Sequence, residues 1–292
     1  MNNRNALTLA TVMCLSLGLS ACSASDAESD PPVSTDATFE EGTAMAEIAE
    51  AGTVSIGVAF DKPYFGLRGL DGEMEGFDVR VAKLMAAELG IAANDIEWVE
   101  TVSANREPYI EQGRVDFVVA TYTINDERKK VVSFAGPYLI AGQSILVGEG
   151  NPLGIESVED VAGHQICGVT GSTGYENIRT NYPELAENLV GFDTYSKCGD
   201  ALANGQVDVV TADNTTLTGI ISDHPDDGFS IVGESFTEEP YGIGLKQDDE
   251  FRAFLNDSLE KIIENGEWEK AFTETAGQVM DVVPDPPKVD RY

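Results

Sequence analysis

The chain alternates short, nearly continuous apolar runs with segments of helical period. Val54-Ser-Ile-Gly-Val58, Ile96 to Val99, Val115 to Ala120 and His164-Gln-Ile-Cys-Gly-Val169 read as strands. Runs this apolar suit a parallel sheet buried on both faces. Between them, Phe77, Val81, Leu84, Met85 and Leu89 recur on one helix face, with Asp78 as a candidate cap and Gly90 as the stop. Arg106 to Gln112 predicts another helix, a further one starts at Tyr175, and Asp249 to Asn265 forms an amphipathic helix followed by a shorter one around Trp268. Ser230-Ile-Val232 and Tyr241-Gly-Ile-Gly-Leu245 read as late strands, and Phe60-Asp-Lys-Pro-Tyr-Phe65 as a loop with exposed aromatics. Strands alternating with helices predict an α/β protein with a covered sheet.

One strand pattern occurs twice. Gly113-Arg-Val-Asp-Phe-Val-Val-Ala120 returns 92 residues later as Gly205-Gln-Val-Asp-Val-Val-Thr-Ala212. That distance exceeds a solenoid period and predicts two lobes of like topology. Ligands of open α/β sheets bind beyond the carboxyl ends of the strands. There the first copy offers the hydroxyls of Thr121 and Thr123 and the five-donor fork of Arg128, while the second ends in the acid Asp213. A cation with hydroxyls on one lobe and an anion on the other can hold a zwitterion. The plainer alternative makes Arg128 a solvated cation beside Lys129 and Lys130.

The ends of the chain read differently. Arg4 followed by the short apolar run Ala6 to Leu19 has the anatomy of a secretory signal peptide, residues 1–22, and is too short to span a membrane. Leu19-Ser-Ala-Cys22 resembles the bacterial lipobox, which implies cleavage before Cys22 and a diacylglycerol on its sulfur. An ordinary signal peptide is the alternative. Residues 23–43, rich in Ser, Asp, Glu, Ala and Pro, are expected to be a disordered tether. Pro284, Pro286 and Pro287 mark 282–292 as a tail without structure. With Cys14 removed and Cys22 lipidated, Cys167 and Cys198 remain, and outside the cytoplasm such a pair is expected to be oxidised, two buried thiols being the alternative. His164 and His224 lack ligand spacing, so neither a metal nor a cofactor is expected.

Charge narrows the function. With 18 Lys and Arg against 51 Asp and Glu, a net charge of −33 speaks against binding to nucleic acid through phosphates. A pocket for an anion must then be locally positive within a negative shell. The acidic surface also suits a saline habitat, where salt eases self-repulsion.

Gly76-Phe-Asp-Val79, Ala120-Thr-Tyr-Thr-Ile-Asn-Asp-Glu-Arg-Lys129, Val132-Ser-Phe-Ala-Gly-Pro-Tyr138, Val169-Thr-Gly-Ser-Thr173, Gly205-Gln-Val-Asp208 and Tyr241-Gly-Ile-Gly-Leu-Lys246 occur in an order and spacing that resemble a known family. It is that of the extracellular solute-binding proteins of polar-amino-acid ABC transporters, in particular the glutamate-binding lipoproteins of Gram-positive bacteria. The likeness covers roughly residues 50 to 278. It implies a type II periplasmic-binding-protein fold with a two-segment hinge. Lobe 1 then comprises residues 44–139 and 241–281, and lobe 2 residues 140–240, with crossings near Tyr138–Gln143 and Phe236–Tyr241.

The resemblance assigns roles. Arg128, Thr123 and the backbone N–H groups at Ser172 and Thr173, a helix start, take the ligand α-carboxylate. Asp213 and the Thr121 carbonyl take the ammonium. Arg106 meets a distal carboxylate with Tyr195 nearby, and Phe60 and Lys62 match pocket positions more weakly. Each has a structural alternative: Arg106 a solvated helix residue, Ser172-Thr173 a plain cap, Asp213 a turn acid, Phe60 a core residue. The expected protein is a monomer anchored by lipid to the outer face of the cytoplasmic membrane. It would bind glutamate, or another acidic or polar amino acid, for an ABC permease and its ATPase. Two rival readings are a secreted dehydratase-like enzyme, for which no catalytic acid or base pair is evident, and the sensor lobe of a receptor.

Overall fold

The apolar runs become the centres of two five-stranded sheets in the computed structural model, which describes residues 30–35, 37–280 and 283–292. The expected signal peptide, Cys22 and the first part of the tether lie outside these residues.

Helix α1 (Ala44–Ala51), capped by the Thr43 hydroxyl and stopped by left-handed Gly52, leads into β1 (Val54–Val58). The stretch expected as a loop opens a small antiparallel sheet of β2 (Asp61–Lys62), β3 (Gly66–Arg68) and β4 (Met74–Glu75). Its aromatics are not all exposed, because Phe65 is fully buried edge-on to Phe77. Next come α2 (Phe77–Glu88), β5 (Ile96–Glu100), α3 (Arg106–Glu111), β6 (Phe117–Val118), α4 (Asp126–Lys129) and β7 (Ser133–Ala141). Gly142 alone separates β7 from β8 (Gln143–Val147). The chain continues through β9 (Ile166–Val169), α5 (Thr173–Asn181), α6 (Pro183–Ala186), β10 (Leu189–Phe192), α7 (Tyr195–Ala203), β11 (Val209–Asp213), α8 (Asn214–Asp223) and β12 (Ser230–Val232). Strand β13 (Glu239–Leu245), α9 (Asp249–Glu264) and α10 (Glu267–Glu274) close the fold.

The sheets share one plan. The first runs β5-β1-β6-β13-β7 and the second β10-β9-β11-β8-β12. In each, three parallel strands are followed by one running the opposite way and a fifth that again runs with the first three. The two copies of the repeat supply the central strands β6 and β11. Their aspartates do the same work: Asp116 Oδ2 accepts from the Ser55 N–H at 2.8 Å, and Asp208 Oδ2 from the Gln165 N–H at 2.7 Å. Each carboxylate thus fastens its strand to the start of the parallel neighbour. Both sheets are covered on two faces, since Phe117 and Val118 enter different cores, as do Val209 and Val210.

The chain passes between the sheets at Gly142 and again between β12 and β13. The two crossings touch so closely that a Cβ on Gly142 would lie 2.6 Å from the Ser235 Cβ, which is why a glycine stands there. Cys167 and Cys198 are joined in a disulfide that ties α7 to β9.

Three expectations need correction. Asp78 does not cap α2, whose first turn has no side-chain cap; its carboxylate instead enters the cleft described below. Residues 23–43 were expected to be a disordered tether, yet within the described part Ser34 N–H donates to Ala87 O at 2.9 Å and Phe39 meets Phe254 edge-on. Residues 283–292 carry no helix or strand but are fixed. Val289 is buried, Arg291 pairs with Asp257 and Glu260, and the Phe134 N–H donates to the Tyr292 hydroxyl at 2.8 Å. Burial of one valine and pairing of one arginine hold a segment that proline alone would leave extended. Among the described residues no helix is long and apolar enough to cross a membrane.

Candidate functional site

The carboxyl ends of β1, β6, β9 and β11 face one another across a closed cleft, and most of the sequence-predicted residues meet there. Arg106 opens α3 and is 2 % exposed. Its Nε donates to Ser103 O at 3.2 Å, its Nη1 to Ala120 O and Thr121 O at 3.2 and 3.3 Å, and its Nη2 to Gly171 O at 3.4 Å. Arg128, in α4, donates from Nη1 to Thr123 O at 2.7 Å and from Nη2 to the same Gly171 O at 3.0 Å. Its Nε faces Glu107 Oε1 at 3.2 Å. Arg106 is therefore not a solvated helix residue, nor Arg128 a solvated surface cation.

Other groups cross the cleft as well. The Thr123 and Thr173 hydroxyls lie 3.3 Å apart, and Asp61 Oδ2 accepts from the backbone N–H groups of Tyr195 and Ser196 at 3.0 and 3.5 Å. Gly171, at φ 81°, packs so near Ala104 that a Cβ would approach its Cα to 2.7 Å. Lys62 bonds the Thr121 hydroxyl and stands 5.0 Å above the Tyr195 ring. Thr121 itself holds φ 45°, a costly conformation for a β-branched residue, fixed by its N–H donating to Asp78 Oδ2 at 2.8 Å. Asp213, at the end of β11, accepts from the Tyr241 hydroxyl at 2.6 Å. Ser172 acts as the cap of α5, its hydroxyl taking the Tyr175 N–H at 3.1 Å. Phe60 packs against the first-lobe core with the Arg68 guanidinium 5.6 Å over its ring.

Sequence reasoning gave Asp78 only a capping role and missed Asp61, Glu107, Tyr122 and Glu239. An acid set between apolar Phe77 and Val79 was the available signal for Asp78. For Glu239 there was none, since a strand-opening acid normally faces water.

Desolvation dominates the electrostatics. Burial, with Arg106 nearby, lowers Lys62 to about 8 and Arg128 to about 10. Asp78 is raised to about 6 by burial, and Asp213 to about 6 by burial and then Glu239. Glu239 is 4 % exposed, and its Oε2 has no hydrogen-bond partner. Three buried cations and three buried acids thus come together at one cleft, an arrangement able to bind a small molecule carrying both signs of charge.

Two similar α/β lobes, two crossings and a charged cleft between the lobes define a ligand clamp of the type II periplasmic-binding-protein class. Residues 54–277 match the bacterial extracellular solute-binding proteins, family 3, and the chain belongs to that family. A glutamate-binding protein of Corynebacterium efficiens is 39 % identical over 84 % of this chain and 85 % of its own. An ABC-transporter glutamine-binding protein of Bacillus subtilis is 36 % identical over 78 % of this chain and 82 % of its own. Among solved structures, an ancestral arginine-binding protein bound to arginine superposes with a TM-score of 0.72 at 33 % identity, over 77 % of this chain and 98 % of that one.

Proposed function

We propose that this protein is the substrate-binding component of an amino-acid ABC importer and that its ligand is L-glutamate, held by closure of the two lobes. The observation that carries this reading is the convergence of buried Arg106 and Arg128 from one lobe with buried Asp213 from the other. Relatives named for glutamate at 39 % identity support it. Arg128, with the Thr123 and Thr173 hydroxyls, takes the α-carboxylate; Asp213 and the Thr121 carbonyl take the ammonium; Arg106 and Lys62, beside Tyr195, take the distal carboxylate. Ser172 contributes by starting α5, its hydroxyl being engaged in the cap. Each lobe holds part of the ligand, so the closed state gains differential affinity.

The protein is a binder rather than an enzyme, works as a monomer with a permease and its ATPase, and is tethered to the outer face of the cytoplasmic membrane through lipidated Cys22. A thermal-shift panel over the amino acids should single out glutamate, because a ligand at a hundredfold excess over Kd stabilises by about 2.7 kcal/mol. Calorimetry on Arg106→Ala is expected to show glutamate weakened far more than glutamine, whose amide needs no cation. Losing one partner of a desolvated charge pair costs about 2–5 kcal/mol, roughly thirtyfold or more in Kd. Equal losses for both ligands would take the distal role from Arg106, and a wild-type preference for glutamine would replace glutamate as the ligand.

A further inference from the structure

Arg106 and Arg128 carry like charges, are both buried, and donate to one carbonyl oxygen, Gly171 O, at 3.4 and 3.0 Å. Their burial leaves this repulsion poorly screened, so protein groups must offset it. Glu107 meets Arg128 alone, at 3.2 Å. Besides the Gly171 carbonyl, the group common to both is Tyr122: its ring centroid lies 4.4 Å from the Arg106 guanidinium carbon and 4.9 Å from that of Arg128. An aromatic face attracts a cation within about 6 Å, and more strongly where the cation is desolvated.

The ring is fully buried and held in place. Phe134 packs against it edge-on at 4.7 Å. On β13, Gly244 makes room for it, since a Cβ there would come within 2.5 Å of the ring Cε1. The backbone carbonyl of Tyr122 also accepts the Gly242 N–H at 2.9 Å. The ring is thus wedged against β13 and cannot swing away from the two arginines.

We propose that Tyr122 is a positioning residue for ligand recognition: its ring face gathers the two guanidiniums into one doubly cationic site and so favours amino acids with two carboxylates over those with one. This rests on the proposed function, because it explains how that site chooses between glutamate and glutamine. The ring need not touch the ligand. Its contribution is electrostatic, through the negative charge of the π face, in addition to packing.

The test varies the ring's charge at nearly constant shape. In the full chain, position 122 is filled with phenylalanine and then with 4-fluoro-, 3,5-difluoro- and 3,4,5-trifluorophenylalanine by nonsense suppression, and glutamate and glutamine are titrated by calorimetry. Tyr122→Phe should bind glutamate within about twofold of the wild type, because the face is retained. Successive fluorines should weaken glutamate progressively, by about tenfold or more at trifluoro. Glutamine should weaken with a smaller slope, and melting temperature should change little. A purely structural ring would give a flat series, which overturns the proposal, and equal slopes for the two ligands overturn its selective part. Failure of the wild type to bind any acidic amino acid would instead sink the proposed function. Tyr122 can still be judged in that case, because in the ligand-free protein the side-chain Nε–H resonances of both arginines should carry ring-current shifts that Tyr122→Leu removes. Unmoved resonances overturn the proposal whatever the ligand.

Discussion

In the proposed binding mode Asp213 places binding and stability in opposition, and Asp213→Asn should separate them. Its carboxyl is held at about 6 against 3.8 for the free side chain, first by burial and then by Glu239. At roughly 1.4 kcal/mol per pH unit, that displacement disfavours the buried carboxylate by about 3 kcal/mol at neutral pH. Below about pH 4 the group is protonated whether the chain is folded or not, and it contributes no difference. Between about pH 4 and 6 the unfolded chain ionises first, so the folded state loses stability as pH rises; above about 6 the loss is complete. Asparagine carries no charge at any pH and can still accept the Tyr241 hydroxyl. Ligand-free Asp213→Asn is therefore expected to exceed the wild type in stability by up to about 3 kcal/mol at pH 7.5, with the gap shrinking toward pH 4. Opening of the cleft would hydrate the carboxylate, which makes the figure an upper bound. Asp78 titrates alike in both proteins and cancels. The same variant should lose glutamate affinity by thirtyfold or more, because the ammonium loses its counter-charge. Urea denaturation at pH 4.5 and 7.5, with calorimetry on the same samples, measures both. Equal stability at pH 7.5 would refute the argument.

Replacing Cys167 and Cys198 together by serine opens a loop 31 residues long and should cost roughly 3–4 kcal/mol, seen as a lowered melting temperature that reductant reproduces in the wild type. A melting temperature indifferent to reductant would contradict this. Cys22→Ala should release the protein from membranes or leave it unprocessed, as fractionation and the mass of the mature chain would show; normal processing and retention would count against the lipid anchor.

Much of this fold could be read from the chain because its logic is local. The repeated Gly-x-Val-Asp predicted two like lobes, and the structure shows why: Gly113 and Gly205 end their helices at φ 65° and 64°, and the aspartates pin equivalent strands. The placement of Thr121, Thr123, Arg128 and Asp213 in the cleft was legible because they follow those strands, at the edge where open α/β sheets take ligands. What stayed hidden depends on long-range contact. Asp78 looked like a cap because helix starts favour acids, and only folding brings it 43 residues across to the Thr121 N–H. Strands β7 and β8, which carry the chain between lobes, were seen only as a crossing, since Gly136-Pro137 and Gly142 break their pattern. The tail read as free because its anchors, Val289 and Tyr292, lie beyond the prolines and bind surfaces made by β7 and α9.

Asp61 gives closure a currency of its own. Helix α7 belongs to the second lobe, yet Thr194, at its N-cap, makes no side-chain cap bond; the carboxylate accepting the first N–H groups comes from the first lobe. The helix is finished in trans, only when the lobes meet. A capping side chain is worth about 0.5–2 kcal/mol, or roughly two- to thirtyfold in an equilibrium constant. That increment favours the closed state whichever molecule lies in the cleft, because Asp61 acts on backbone amides. Asp61→Ala is therefore expected to raise the Kd of every ligand by the same factor and leave their order intact. A factor that differed between glutamate and glutamine would show that the carboxylate senses the ligand after all. Where affinity and selectivity are set at separate positions, a transporter component can be retuned to a richer or poorer medium by one substitution without changing what it carries.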